Sequence, residues 1–160
     1  MSISDEEALA LQIGRPARGV VEVAHRCKCG LPDVVKTLPK LPDGTPFPTM
    51  YYITCQKLAS KIGTLEANGV MKELEKVLDS DPELKLAYAK AHASYLEERN
   101  SLEDVEEIQG ISAGGMPTRV KCLHALIAHS LAVGPGVNPI GDKALALLQE
   151  WGNSPCVGEE

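Results

Sequence analysis

The spacing of apolar residues along the chain changes period, and the changes mark its elements. Residues 20 to 27, VVEVAHRC, alternate, so that Val21, Val23, His25 and Cys27 share one face of an extended strand and Cys29 continues the same parity. Gly30, Leu31 and Pro32 turn the chain into a second strand within DVVKTLP. LPDGTP has the Pro, Asp and Gly of a reversal, and PTMYYITC is a third strand rich in β-formers. These three strands predict a small antiparallel meander near the N-terminus. In that topology Cys55, closing the third strand, arrives at the edge that carries Cys27 and Cys29.

Both flanks of the meander have helical spacing. Ser4 and Glu7 stand at capping-box distance, predicting a helix over residues 5 to 12 that stops before Gly14, Arg15 and Pro16. A helix over 56–68 ends at Gly69, and a second covers 70–80. The next opens with Asp81 as cap and Pro82 at its first position. Leu84, Tyr88, Ala91 and Tyr95 give it a core-facing stripe, with His92 beside the stripe in a structural or surface role. After a glycine-containing loop over 108–117, TRVKCLHALIAHSLA resumes helical periodicity through Val120, Leu123, Ile127 and Leu131. A loop, VGPGVNPIGD, then leads to a helix over 143–151 that carries Trp151. Residues 152–160 read as a flexible tail, with Cys156 an uninvolved thiol. The expected fold is α+β: a three-stranded meander packed against a mainly helical remainder, in one domain over 1–160.

Composition strengthens the helical weighting. Only 4% of residues are aromatic, so the core is built from Leu, Val, Ile and Ala. The net charge of −6 is uneven: residues 1–60 hold seven bases and six acids, residues 61–160 nine and sixteen. The run EERNSLEDVEE, residues 97–107, has six acids against one base. It reads as a solvated helix end and loop, and it argues against a nucleic-acid partner. No apolar run approaches the roughly 18 residues of a membrane span, and the N-terminus lacks the pattern of a secretory signal. The expectation is a cytoplasmic protein without membrane insertion. In a reducing compartment, five cysteines are thiols or metal ligands before they are a disulfide frame.

Candidate chemistry gathers on those thiols. Zinc and iron-sulfur sites collect thiolates, with histidine as the usual partner, from separated segments. The chain offers Cys27 and Cys29 at a strand end, Cys55 at a strand-to-helix junction, and Cys122 with His124 near a helix start. Zinc is favoured, an iron-sulfur cluster second, in a structural or regulatory role, and buried packing cysteines are the alternative. If residues 118–133 are all helix, Cys122 and His124 diverge by about 200° and cannot share an ion. They can do so only if the helix begins near Leu123, with Cys122 in the preceding turn. A rival reading is a thiol- or metal-dependent hydrolase or transferase in which Cys122 or Cys55 is the nucleophile and His124 or His129 the base. His129 has a default place at the core edge, and His25 a packing or supporting one. SAGGM and GPGVNPIGD match no phosphate-loop pattern.

Four strings, GRPARGVVEVAHRCKCGLPDVV, LPDGTPFPTMYYITC, SAGGMPTRVKCLHALIAH and GPGVNPIGD, together resemble domain of unknown function 501, over about residues 13–150. The family is common in actinobacteria, near genes for enolase, a septum-formation initiator and an exopolyphosphatase. This neighbourhood implies a third reading, an interaction module for cell division or the envelope, with its partner unknown. The resemblance stresses Cys27, Cys55, Cys122 and His124, a set of three thiolates and one imidazole. Some relatives carry an aromatic residue at the position of Cys29, which makes Cys29 an accessory ligand or none. The resemblance implies no reaction.

Overall fold

The computed structural model describes residues 4–153. The thiol of Cys156, and the expected tail from Ser154 onward, lie outside the described residues. The chain runs α1 (Asp5–Ile13), β1 (Val20–Arg26), β2 (Pro32–Thr37), β3 (Tyr51–Ile53), α2 (Gln56–Ala67), α3 (Val70–Ser80), α4 (Pro82–Leu102), a 3₁₀ turn at Glu106–Ile108, α5 (Leu123–Val133) and α6 (Pro139–Ala146). The strands form the expected antiparallel meander, in order β1-β2-β3. The α+β architecture follows.

Caps set the helix starts. The Ser4 side chain accepts from the Glu7 N–H, Cys55 Sγ from Leu58, Asp81 from Leu84 and Asn138 from Gly141. The last of these corrects the sequence expectation. Asn138 with Pro139 behind it opens α6 inside the supposed loop, and the helix ends at Ala146, so Trp151 lies beyond it. A second difference lies in β1, where pairing slips between Val20 and Glu22, between Val23 and His25, and between His25 and Arg26. Each slip interrupts the two-residue alternation. Val21 is consequently 44% exposed while Cys27 is buried.

Helix α5 is the centre of the molecule. It touches α2, α6 and all three strands, and every residue from Ala125 to Ser130 is buried. A helix that is apolar nearly all round belongs inside a layer of other elements. Each fully buried Leu or Ile along it stabilises the fold by about 1.5–3 kcal/mol. Helix α4 lays Leu84, Tyr88, Ala91 and Tyr95 against this core, as its stripe predicts, and Tyr95 Oη accepts from the backbone of Met50 and Tyr51. His92 is half-buried and bonds Ser112. Among the described residues no helix is long and apolar enough to cross a membrane.

Candidate functional site

The loop before α5 decides where the chemistry gathers. Gly115, at φ +96°, brings the chain so close to itself that a Cβ there would lie 2.7 Å from the Arg119 carbonyl oxygen. Arg119 N–H donates back to Gly115 O and Lys121 N–H to Gly114 O. This tight return holds residues 119–121 out of the helix, so α5 begins at Leu123 with Cys122 as its N-cap residue. That is the one arrangement in which Cys122 and His124 can serve the same centre.

They do meet, and the third member is Glu66, near the end of α2. One ligand-capable atom from each of Glu66, Cys122 and His124 lies within 4.8 Å of the others. The Glu66 carboxylate accepts from the Leu123 N–H at 2.9 Å, supplying negative charge where the α5 dipole is positive, and meets His124 Nδ1 at 3.2 Å. The other ring nitrogen, Nε2, donates to the Ala59 carbonyl at 3.1 Å. Both nitrogens thus face acceptors, the surroundings of an imidazolium. The His124 pKa is raised to about 9, first by the neighbouring Cys122 side chain and then by Glu66, with burial opposing both. The Cys122 thiol is held below its ordinary value, chiefly by His124. A cleft of about 390 Å³ opens onto Cys122 and His124, with Phe47, Tyr51 and Tyr52 among its walls.

The other sequence candidates gather where β3 passes into α2, one helical turn from the Ala59 carbonyl that holds His124. Arg26 pairs with Pro32 and Val34 with Ile53, so the register carries Cys27 and Cys55 to the same end of the sheet, on either side of β2. Cys27 and Cys55 are buried and Cys29 is half-buried. Cys29 N–H donates to Cys27 Sγ at 3.5 Å, and Leu58 N–H to Cys55 Sγ at 3.5 Å. None of these three cysteines belongs to the Glu66–Cys122–His124 group, the one trio of this kind among the described residues. His129 is 1% exposed, stacked on Tyr51, edge-on to Tyr95 and bonded to Asn138. It is walled into the core, deeper than the core-edge place expected for it. His25 bonds buried Asp33 at 2.7 Å, and Asp33 also accepts from the Trp151 indole N–H.

Glu66 escaped sequence reasoning, though a signal for it exists. Leu58 and Ile62 are the buried positions of α2, and Glu66 is the next step of that i, i+4 series. A carboxylate on an apolar stripe needs a partner.

The protein is an α+β chain whose meander and central helix α5 largely share one family region. The sequence profile of a protein of unknown function, DUF501, matches residues 23–146, so this chain belongs to the DUF501 family. No curated protein and no solved structure matches it.

Proposed function

We propose that Glu66, Cys122 and His124 form a zinc centre with an open position, serving hydrolytic or group-transfer chemistry on a small molecule held in the aromatic-walled cleft. One observation carries the reading: carboxylate, thiol and imidazole converge within 4.8 Å while the second ring nitrogen of His124 is tied to the Ala59 carbonyl. Histidine ligands of metals are oriented in this way, by a carbonyl or carboxylate on the nitrogen that does not bind. Three protein donors leave a fourth position for water or substrate, the pattern of catalytic zinc more than of closed structural zinc. Zinc bound there would take the place of the His124 Nδ1 proton, act as a Lewis acid and lower the pKa of its water. A single thiolate suits zinc better than an iron-sulfur cluster, which takes mostly cysteines. A thiolate ligand also suits a compartment that keeps thiols reduced, so the cytoplasm is the proposed location.

Metal analysis after zinc loading and removal of excess tests the reading. The expected result is about one zinc per chain, with affinity falling at least tenfold in Glu66→Gln, Cys122→Ser and His124→Gln. Less than about a tenth of an equivalent in the wild type would overturn it. So would zinc held at full affinity by all three variants and lost only when Cys27, Cys29 or Cys55 is replaced.

A second reading, Cys122 as a nucleophile with His124 as its base, draws on the closeness of the two side chains, which holds the Cys122 thiol pKa low, and on the adjoining cleft. The geometry favours it less, because the histidine nitrogen turned away from Glu66 faces a backbone carbonyl. Rapid alkylation of Cys122 in a protein that takes up no zinc would select it.

A further inference from the structure

A second cavity lies under α1 and borders the cleft above, with Phe47 and Tyr52 in the walls of both. Helix α1 is fastened over the sheet by Gln12, which donates to Pro32 O, and by the Arg26–Asp5 ion pair. Where α1 ends at Gly14 the chain returns toward β1, and the return segment overhangs a cavity of about 200 Å³. Its walls are apolar, formed by Ile13, Val20, Val35, Leu41, Phe47 and Tyr52. Its two threonines are already engaged: Thr37 donates to Thr49 O and Met50 O, and Thr54 to Pro32 O. The charge comes from Arg15 and Arg18 alone, for no acid lines the cavity. Both arginines are exposed, and neither makes an ion pair or hydrogen bond among the described residues. Asp43 feels the charge of Arg18, but its carboxylate is held low first by the backbone and side chain of Thr45.

An apolar cavity with two uncommitted guanidinium groups matches one kind of occupant. We propose that this cavity binds a small carboxylic acid with an apolar body, the body among Val35, Leu41, Phe47 and Tyr52 and the carboxylate on Arg15 and Arg18. Size and charge agree on it. An apolar cavity of about 150 Å³ takes up benzene, so 200 Å³ accommodates one ring with a short acid-bearing chain. Arginine forks recognise carboxylates by paired N–H donors, a geometry that an alcohol cannot satisfy. Phe47 and Tyr52 border both cavities, but Arg15 and Arg18 line only this one and Cys122 and His124 only the other, so this proposal and the zinc reading can each fail alone.

The test uses the full chain and 3-phenylpropionate, followed by calorimetry and by amide shifts in ¹H–¹⁵N spectra, with 3-phenylpropan-1-ol as the uncharged control. The expected result is saturable binding of the acid, shifts centred on Val20, Val35, Thr37 and Thr54, and at least tenfold weaker binding of the alcohol. In R15Q/R18Q, whose exposed substitutions leave the spectrum of the fold in place, the acid should bind no better than the alcohol. Equal binding of acid and alcohol would overturn the proposal. So would full acid affinity in R15Q/R18Q, shifts centred elsewhere, or no saturation by about 10 mM.

Discussion

Arg99 is the one base in the acidic run 97–107, and it is fully buried. Its guanidinium donates to the carbonyls of Pro48, Ile108 and Ile111, tying the β2–β3 connection and the segment after α4 to that helix. Arg99→Leu would leave those carbonyls buried without donors, at a cost of about 3 kcal/mol or more. A urea midpoint lowered accordingly, at unchanged slope, checks this. The run was legible as a solvated segment because its acids mostly are exposed; Arg99 was hidden because a charge masks the next step of the Leu84, Tyr88, Ala91, Tyr95 stripe. His129 gives a pH prediction. Burial lowers its pKa to about 4, against about 6.5 in the unfolded chain. Between those values the unfolded chain takes up a proton that the folded one refuses, so its contribution to stability is present above about pH 6.5 and is lost as pH falls toward 4. The loss is up to about 3 kcal/mol. His129→Phe should flatten the stability profile over that window relative to wild type, and parallel profiles would refute the assignment.

At the scale of elements, the sequence was readable where a cap or a breaker coincides with a change of period. Ser4, Asp81 and Gly69 stand at such places, and α1, α3 and α4 begin where they predict. It misled where two signals compete. VNPIGD contains a Pro and a Gly that read as loop, yet the same Pro is a good first helical residue behind Asn138, and Gly141 sits in α6 for a packing reason. A Cβ on Gly141 would lie 2.3 Å from both Leu126 O and Ser130 Oγ, so the absence of a side chain sets how closely α6 crosses α5. Gly141→Ala should force the two helices apart and cost about 1–3 kcal/mol. Thermal unfolding checks it: a loss of about 2 kcal/mol lowers Tm by about 4–8 °C in a chain of this size. An unchanged Tm would mean that the crossing yields without cost.

For the whole molecule, the candidate site is a joint between α2 and α5, and that decides both why it was half legible and what a metal would do to stability. Cys122 and His124 lie close in the chain, and the condition that lets them share a centre, a helix beginning at Leu123, could be stated from spacing alone. Glu66 comes from 56 residues earlier, and only the packing of α2 on α5 brings its carboxylate to the Leu123 N–H. No spacing rule reports such a contact. The zinc reading then predicts a global effect, because an ion held by residues of both helices binds the folded chain and has no comparable site in the unfolded one. At a free zinc concentration about a hundred times Kd, the fold should gain about 2.7 kcal/mol. For a chain of this length the corresponding rise in Tm is about 5–10 °C. Cys122→Ser should abolish most of that rise while keeping a zinc-free Tm near the wild-type value, since Cys122 is only half-buried and lies at a helix end. A zinc-dependent rise of equal size in Cys122→Ser would put the ion elsewhere, with Cys27, Cys29 and Cys55, at the end of the sheet where α2 begins, as the next ligands to replace.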